Sequence, residues 1–215
     1  MTIDLRRPAA SALLFCCALA ATAASESRPV SDFTEVGLAA PVDVHVTLGE
    51  THSVTLEGDP EVLARIETVV ENGRLRIRTK SGSNSWNANR KTTARVSAKR
   101  IDALAIAGSG DITAPSITGP ALKVSIAGSG DIRVGGKVEG LTASIAGSGD
   151  IRASDLDADR VKITIAGSGD ATVRARQALT VNVSGSGDVR YHGDPAIEQT
   201  IMGSGSVRRA KASSP

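Results

Sequence analysis

The feature of this 215-residue sequence that most limits its fold is a tetrapeptide, Gly-Ser-Gly-Asp, that recurs at nearly even intervals. Five copies begin at Gly108, Gly128, Gly147, Gly167 and Gly185. A sixth copy, residues 203–206, ends in serine instead of aspartate, and the fourth residues of consecutive copies are 18 to 20 positions apart. A period of this size is typical of stacked, quasi-one-dimensional architectures, in which no single repeat can bury its own apolar face.

Alternation of apolar and polar residues predicts strands around each copy. Before the second copy, Leu122, Val124 and Ile126 share one parity, and Ile132 and Val134 continue it after the copy. A period of two with β-branched residues indicates strands that are buried on one face. Both glycines of each copy fall on the buried parity, where a side chain would obstruct a bend or a close approach of two backbones.

We therefore predict an all-β chain that forms a right-handed parallel β-solenoid, or β-helix, with short coils of 18 to 20 residues. Such coils stack about 4.8 Å apart, which is the spacing of hydrogen-bonded strands. The right hand follows from the preference of crossover connections between parallel strands. An antiparallel sandwich or meander also shows short alternating strands, but near-identical repeats at constant spacing favour the solenoid.

The N-terminal half, residues 25–100, lacks the tetrapeptide but is also rich in predicted strands. Asp59 and Pro60 are residue types that favour a helix N-cap and the first helical position. The pair Asn72-Gly73 lies between two apolar runs and is a strong signal for a two-residue hairpin turn. The polar residues 81–93 predict an exposed loop.

The first 24 residues have the features of an export signal. Arg6 and Arg7 supply a positive start, residues 9–20 form an uncharged apolar run, and residues 21–23 are small enough for cleavage. The apolar run is shorter than the roughly 20 residues that a membrane helix needs. We expect a protein that is exported to the periplasm, to the cell surface or to the medium of a bacterium, with no transmembrane segment after cleavage.

Composition narrows the classes of partner. The formal net charge is +2, so the chain has no broad basic surface for nucleic acid. Aromatic residues make up 2% of the sequence, which disfavours a long cleft for stacking sugars. We divide the remaining chain into the repeat solenoid, residues 101–208, and a basic, disordered tail, residues 209–215.

Several segments occur in an order that is similar to a known family. They are residues 31–36, the predicted strand at 42–48, residues 56–59, residues 72–77, and residues 104–112 with the later copies. This order resembles the bacterial family of putative auto-transporter adhesins with a head GIN domain, and the resemblance covers nearly all of the chain after the signal. It implies an exported β-helical domain with a role in adhesion.

The repeated aspartates are candidate binding residues. They are Asp111, Asp131, Asp150, Asp170 and Asp188. In a solenoid their carboxylates would form an outward column about 5 Å apart and would repel one another. Arginines two positions later, such as Arg133, Arg152 and Arg190, supply counter-charge on the same face, which favours a turn-forming aspartate beside an arginine ladder.

A row of divalent ions is the alternative interpretation of these aspartates. Calcium-binding solenoids use a nine-residue glycine- and aspartate-rich repeat, which this chain lacks. We therefore predict no cofactor and leave calcium as the alternative. His45, His52 and His192 lack metal-ligand spacing and are expected at the surface. Trp86, in the polar loop, either anchors a sugar or a partner or covers an apolar edge.

Two outward columns of small residues predict a flat, uncharged strip. One column is Ala107, Ala127, Ala146, Ala166, Ser184 and Met202, and its neighbour is Ala105, Ser125, Ser144, Thr164, Asn182 and Thr200. Such a strip packs closely against another sheet. We expect cover by the chain's own N-terminal half, with a homo-oligomer through this face as the alternative.

These observations predict an exported, non-catalytic β-solenoid for cell-surface or envelope interaction, with adhesion as the expected role. Its partner would be an envelope component, a glycan or a protein. One alternative is a polysaccharide-acting β-helix enzyme, although such enzymes gather acids in a groove and not in a regular column of one per coil. Another alternative is a calcium-stabilised structural module.

Overall fold

A computed structural model describes residues 24–80 and 92–210, and about 72% of these residues lie in β-strands. The elements in chain order are β1 Ala24–Arg28, β2 Glu35–Ala39, β3 Asp43–Leu48, β4 Ser53–Gly58, α1 Pro60–Leu63, β5 Ile66–Glu71, β6 Arg74–Thr79, β7 Thr93–Ala98, β8 Ala103–Gly108, β9 Asp111–Gly128, β10 Ile132–Gly147, β11 Ile151–Gly167, β12 Ala171–Gly185, β13 Val189–His192, β14 Ala196–Gly203 and β15 Val207–Arg209.

The repeat half is a parallel β-solenoid of about five turns, as predicted. Consecutive coils pair in parallel with equivalent residues side by side, so that Ile145 pairs with Ile126 in the coil before and with Ile165 in the coil after. We call the strand segments that precede each Gly-Ser-Gly-Asp corner face A, and those that directly follow it face B. The right-handed sense of the solenoid stays a prediction from the crossover rule.

The N-terminal half continues both faces but not in chain order. On face A, β2 lies between β6 and β8, and all three are parallel. On face B, β3 lies between β7 and β9, again in parallel. The coil made by β2 and β3 is therefore flanked on both sides by strands that come later in the sequence, and the sheet runs continuously past residue 100.

Antiparallel strands and a helix cover the end of the solenoid beyond β6 and β7. Strand β5 pairs with β6 through the predicted Asn72-Gly73 hairpin, in which both residues have positive φ. Strand β4 pairs with β7, and β1 pairs with β4. Helix α1 begins as predicted, because the Asp59 side chain accepts a hydrogen bond from the Glu61 N–H (2.9 Å).

A single hydrophobic core runs along the inside of the coils. Residues of the inward parity, such as Ile145, Ile163 and Val181, are at most 1% exposed. The predicted alternation is thus confirmed. Two boundaries differ from expectation: β7 already includes Thr93, which we placed in the loop, and β15 includes Arg209, which we placed in the tail. Both residues are held by strand pairing, which polarity alone does not reveal.

Candidate interaction faces

The Gly-Ser-Gly corners stack directly on one another. The first glycine of each copy has φ between +131° and +141°, a region that other residues rarely adopt. In four of the copies, those that begin at Gly108, Gly128, Gly147 and Gly185, its carbonyl accepts two N–H groups from the next corner; for example, Ser148 (2.9 Å) and Gly149 (3.2 Å) both donate to Gly128 O. A Cβ on the second glycine, as at Gly169, would overlap the carbonyl oxygen of the coil before. The first glycine is therefore required by its positive φ, and the second is required by close backbone contact.

The five aspartates form a column along the edge of face B, and each carboxylate accepts a backbone hydrogen bond from the next coil. The Asp131 N–H donates to Asp111 Oδ1 (2.9 Å), and the Asp150 N–H donates to Asp131 Oδ1 (3.1 Å). The same bond joins Asp170 to Asp150 (3.1 Å) and Asp188 to Asp170 (2.8 Å). The repeated aspartate thus supplies an inter-coil hydrogen bond, which explains why it recurs at each corner.

Arginines of face B compensate part of the negative charge. The Arg152 guanidinium contacts both Asp131 (2.9 Å) and Asp150 (3.1 Å), and Arg190 lies 3.9 Å from Asp170. The expected aspartate column beside an arginine ladder is therefore present. The pairing differs in detail, because an arginine also reaches back to the aspartate of the preceding coil.

The column ends at Ser206, which takes the place of the sixth aspartate. The Ser206 hydroxyl (2.8 Å) and its N–H (2.9 Å) both donate to Asp188 Oδ1. The pKa of Asp188 is lowered, and the hydrogen bond from the Ser206 hydroxyl is the largest cause. The Ser206 N–H and the positive charges of Arg208 and Arg190 also lower it, whereas partial desolvation raises it. The carboxylate at this end is consequently held in its charged form.

One member of the column was not identified from the sequence. Asp43 on β3 pairs with Asp111, so the column extends into the N-terminal half. The signal was present, because Ala39-Ala40-Pro41-Val42-Asp43 has the same length and the same first and last residues as the Ala-Gly-Ser-Gly-Asp repeat. The Asp111 N–H donates to Val42 O (3.2 Å) and not to the Asp43 carboxylate.

Within residues 24–80 and 92–210, no group of three or more His, Cys, Asp or Glu side chains is placed to hold a metal ion. Trp86 and most of the predicted loop lie outside these residues. His52 is not at the surface as expected: its side chain is buried, contacts Phe33 edge to face (ring centroids 5.1 Å apart) and lies 2.9 Å from Asp32. His45 is exposed on face B, as predicted.

The strip of small residues lies on face A and is open. Its alanines at positions 107, 127, 146 and 166 are exposed, and Met202 at its end is 66% exposed. The expected cover by the N-terminal half is wrong, because that half stacks on the end of the solenoid and extends the strip through Gly37 and Ala39.

A cavity of about 470 Å³ occupies the N-terminal end of the strip. Its floor includes Ala105, Ala107 and Ala127. Three arginines of β6 line it as well: Arg74, Arg76 and Arg78. Each contacts a glutamate: Arg74 contacts Glu35, Arg76 contacts Glu71 (3.4 Å) and Arg78 contacts Glu67 (2.8 Å). Face A therefore offers a flat apolar floor with a neutralised rim.

Comparisons with known proteins agree with this architecture. Residues 32–195 match the model of the family described as "Putative auto-transporter adhesin, head GIN domain". A putative adhesin from Bacteroides fragilis has a similar structure (TM-score 0.72, 19% identity, 89% of this chain and 98% of that chain). So does a putative lipid binding protein from Parabacteroides distasonis (TM-score 0.55, 26% identity, 88% and 97%). A putative adhesin from the same species is similar too (TM-score 0.57, 21% identity, 88% and 97%).

The search of curated proteins gave no match. In the part of the chain that the structure describes, no helix is long and apolar enough to cross a bilayer.

Proposed function

This chain belongs to the family of putative auto-transporter adhesins with a head GIN domain, and from that premise we propose that it is an exported, non-catalytic β-solenoid for cell-surface or envelope interaction, with adhesion as its specific role. The observation that carries the proposal is the exposed strip on face A. An uncharged strip of small side chains lets another surface approach the backbone closely over several coils.

The aspartate column favours this proposal over the two alternatives. Each carboxylate from Asp111 to Asp188 already accepts a backbone N–H of the next coil. A group that is engaged in this way serves the stacking of coils, and it is a poor candidate for general acid–base chemistry on a polysaccharide. The arginine contacts give the column an internal source of positive charge, so that calcium is not needed to offset repulsion between the carboxylates.

The strip can be tested with a matched pair of variants. Ala146→Arg introduces a long charged side chain in the middle of the strip, where the native residue is exposed. Thr113→Arg introduces the same side chain on face B, in the column that already holds Arg133 and Arg152. Neither change enters the core, so both variants should keep the native melting temperature.

Two binding measurements use a surface coated with the purified chain. The first counts the bacterial cells that are retained, using cells that produce the protein, and the second measures the binding of a set of bacterial and host glycans. We expect retention by the native chain and by Thr113→Arg, and at least a tenfold loss for Ala146→Arg. Equal retention by both variants would remove the strip from the proposal. Release of reducing sugar ends from any glycan on the array would favour the enzyme alternative.

A further inference from the structure

The two ends of the small-residue strip have complementary shapes. At one end Met202 stands 66% exposed on face A, and at the other end the cavity of about 470 Å³ lies over Ala107 and Ala127. Between them the column contains only alanine and serine: Ala127, Ala146, Ala166 and Ser184. When two copies pack face to face about a two-fold axis, the projecting side chain of each copy can enter the cavity of the other.

We infer that the strip binds a second copy of this chain, face to face, about a two-fold axis that runs parallel to the strands between Ala146 and Ala166. This inference rests on the proposed function, because it names the partner of the same face. The axis places Met202 of each copy over Ala107 of the other, in the cavity. It also places Ala166 of each copy over Ala146 of the other, where small side chains allow close contact.

Charges along the border of the strip agree with this arrangement. The border column contains Lys123, Thr142, Lys162 and Thr180 in successive coils. About the proposed axis, Lys123 of one copy faces Thr180 of the other, and Lys162 faces Thr142. No lysine opposes a lysine, so the two copies bring no like charges together along this border.

The contact area is that of a weak but specific dimer. Six overlapping coils at about 4.8 Å and three outward columns at about 7 Å cover about 600 Å² on each copy. The total of about 1,200 Å² lies at the lower limit of specific interfaces, so we expect a weak dimer that dissociates on dilution. A two-fold contact uses the same face on both copies and closes at two. On neighbouring cells it would produce adhesion between like cells.

Two experiments test the inference on the full chain expressed with its own export signal. Sedimentation velocity from about 1 to 500 µM should show a monomer that converts to a dimer. Ala146→Arg should raise the dissociation constant at least tenfold, and Thr113→Arg should leave it unchanged. The second experiment is a disulfide trap in a chain that carries both Ala107→Cys and Met202→Cys; the native cysteines, at positions 16 and 17, lie in the predicted signal.

Within one chain these two positions are five coils, or about 24 Å, apart, far beyond the roughly 7 Å between Cα atoms that a disulfide allows. Covalent dimer from the double variant, with little from either single variant, supports the proposed axis. A chain that stays monomeric throughout, or a dimer that Ala146→Arg does not weaken, would overturn the inference. If a monomeric chain still retains cells or glycans through the strip, the proposed function stands and only the second copy is rejected.

Discussion

The turns between face A and face B stack in one column of corners along the solenoid. This column contains two kinds of corner, which differ in whether they need glycine. In the repeat half each corner is Gly-Ser-Gly, whereas the corner between β2 and β3 is Ala40-Pro41-Val42. Ala40 and Val42 are buried, and Ala40 does not have a positive φ. In the coil beyond it, β6 ends at Thr79 and β7 begins at Thr93.

The difference shows why glycine is needed in the repeats. Gly110 stacks on the Ala40–Val42 corner, and a Cβ there would overlap the carbonyl oxygen of Ala40. Each later second glycine meets a backbone carbonyl of the preceding corner in the same way. The corner at Ala40–Val42 turns the chain without glycine, so a turn does not by itself require it. In the repeats the first glycine is required by its positive φ, and the second is required by the stacking of one corner on another.

We expect the largest effect when a methyl group is added to a stacked corner. Gly169→Ala places a Cβ against the carbonyl oxygen of Gly149, which cannot move without separating two coils. We expect a loss of about 3 kcal/mol or more in the free energy of unfolding, since overpacking costs about 1 to 3 kcal/mol even where side chains can adjust. Ser168→Ala, at an exposed neighbour, should change it by less than about 0.5 kcal/mol. Equal denaturation midpoints for the two variants would contradict the stacking rule.

Introducing a glycine into the corner between β2 and β3 should lower the stability of the fold. Val42→Gly removes a side chain that is 1% exposed. Burial of a valine contributes about 1.5 to 3 kcal/mol, so we expect a loss of about 2 kcal/mol in urea unfolding. Pro41→Ala, in the same corner, provides the local control. Unchanged or increased stability of Val42→Gly would mean that this corner follows the glycine rule after all.

The aspartates of the two corners should also differ. Asp150→Ala removes the acceptor of the Asp170 N–H and a contact of Arg152. Because both groups are partly exposed, we expect a loss of about 1 to 2 kcal/mol. Asp43→Ala removes no such inter-coil bond, since the Asp111 N–H donates to Val42 O, and should cost less than about 0.5 kcal/mol. If thermal unfolding shows similar losses of stability for both variants, the carboxylate does not contribute to the stacking of coils.

A fourth test measures how the contribution of Asp188 to stability depends on pH. Because the pKa of Asp188 is lowered in the folded state, its contribution to stability is complete above the unfolded value of about 3.9 and is lost as pH falls through the folded value. The difference in melting temperature between the native chain and Asp188→Asn should therefore shrink below about pH 4. Ser206→Ala, which removes the largest cause of the shift, should make this loss smaller and should complete it at a higher pH. A difference that is independent of pH would exclude the ionised carboxylate as its source.

The smallest expected effect is that of calcium. If the inter-coil bonds and arginines suffice for the aspartate column, a chelator should leave the melting temperature unchanged and millimolar calcium should add almost nothing. A real site, at 100 times its dissociation constant, would stabilise the fold by about 2.7 kcal/mol, which is several degrees for a domain of this size. A shift of that size that Asp150→Asn abolishes would promote the calcium-stabilised module.

Much of the fold was predictable because the repeats impose equal environments on equal residues. Alternation around Ile126 and Ile145 indicated the buried parity, and Asn72-Gly73 indicated the hairpin. The position of β2 between β6 and β8 was not predictable, because this pairing joins segments that no repeat relates to one another. Asp43 was missed for a related reason: its corner keeps the spacing of the repeat but not its glycines.

The position of β2 and β3 also determines how the molecule is built. Their coil acquires its two neighbours from residues 74–98 and 103–113, so it cannot be complete until the chain has passed back over it. Later coils need only the coil before them. Residues 24–128 should therefore act as a folding nucleus from which the solenoid grows in one direction, from the N-terminal to the C-terminal coil. In pulse-labelled hydrogen exchange, amides of β2 and β6 would gain protection before those of β11 and β12.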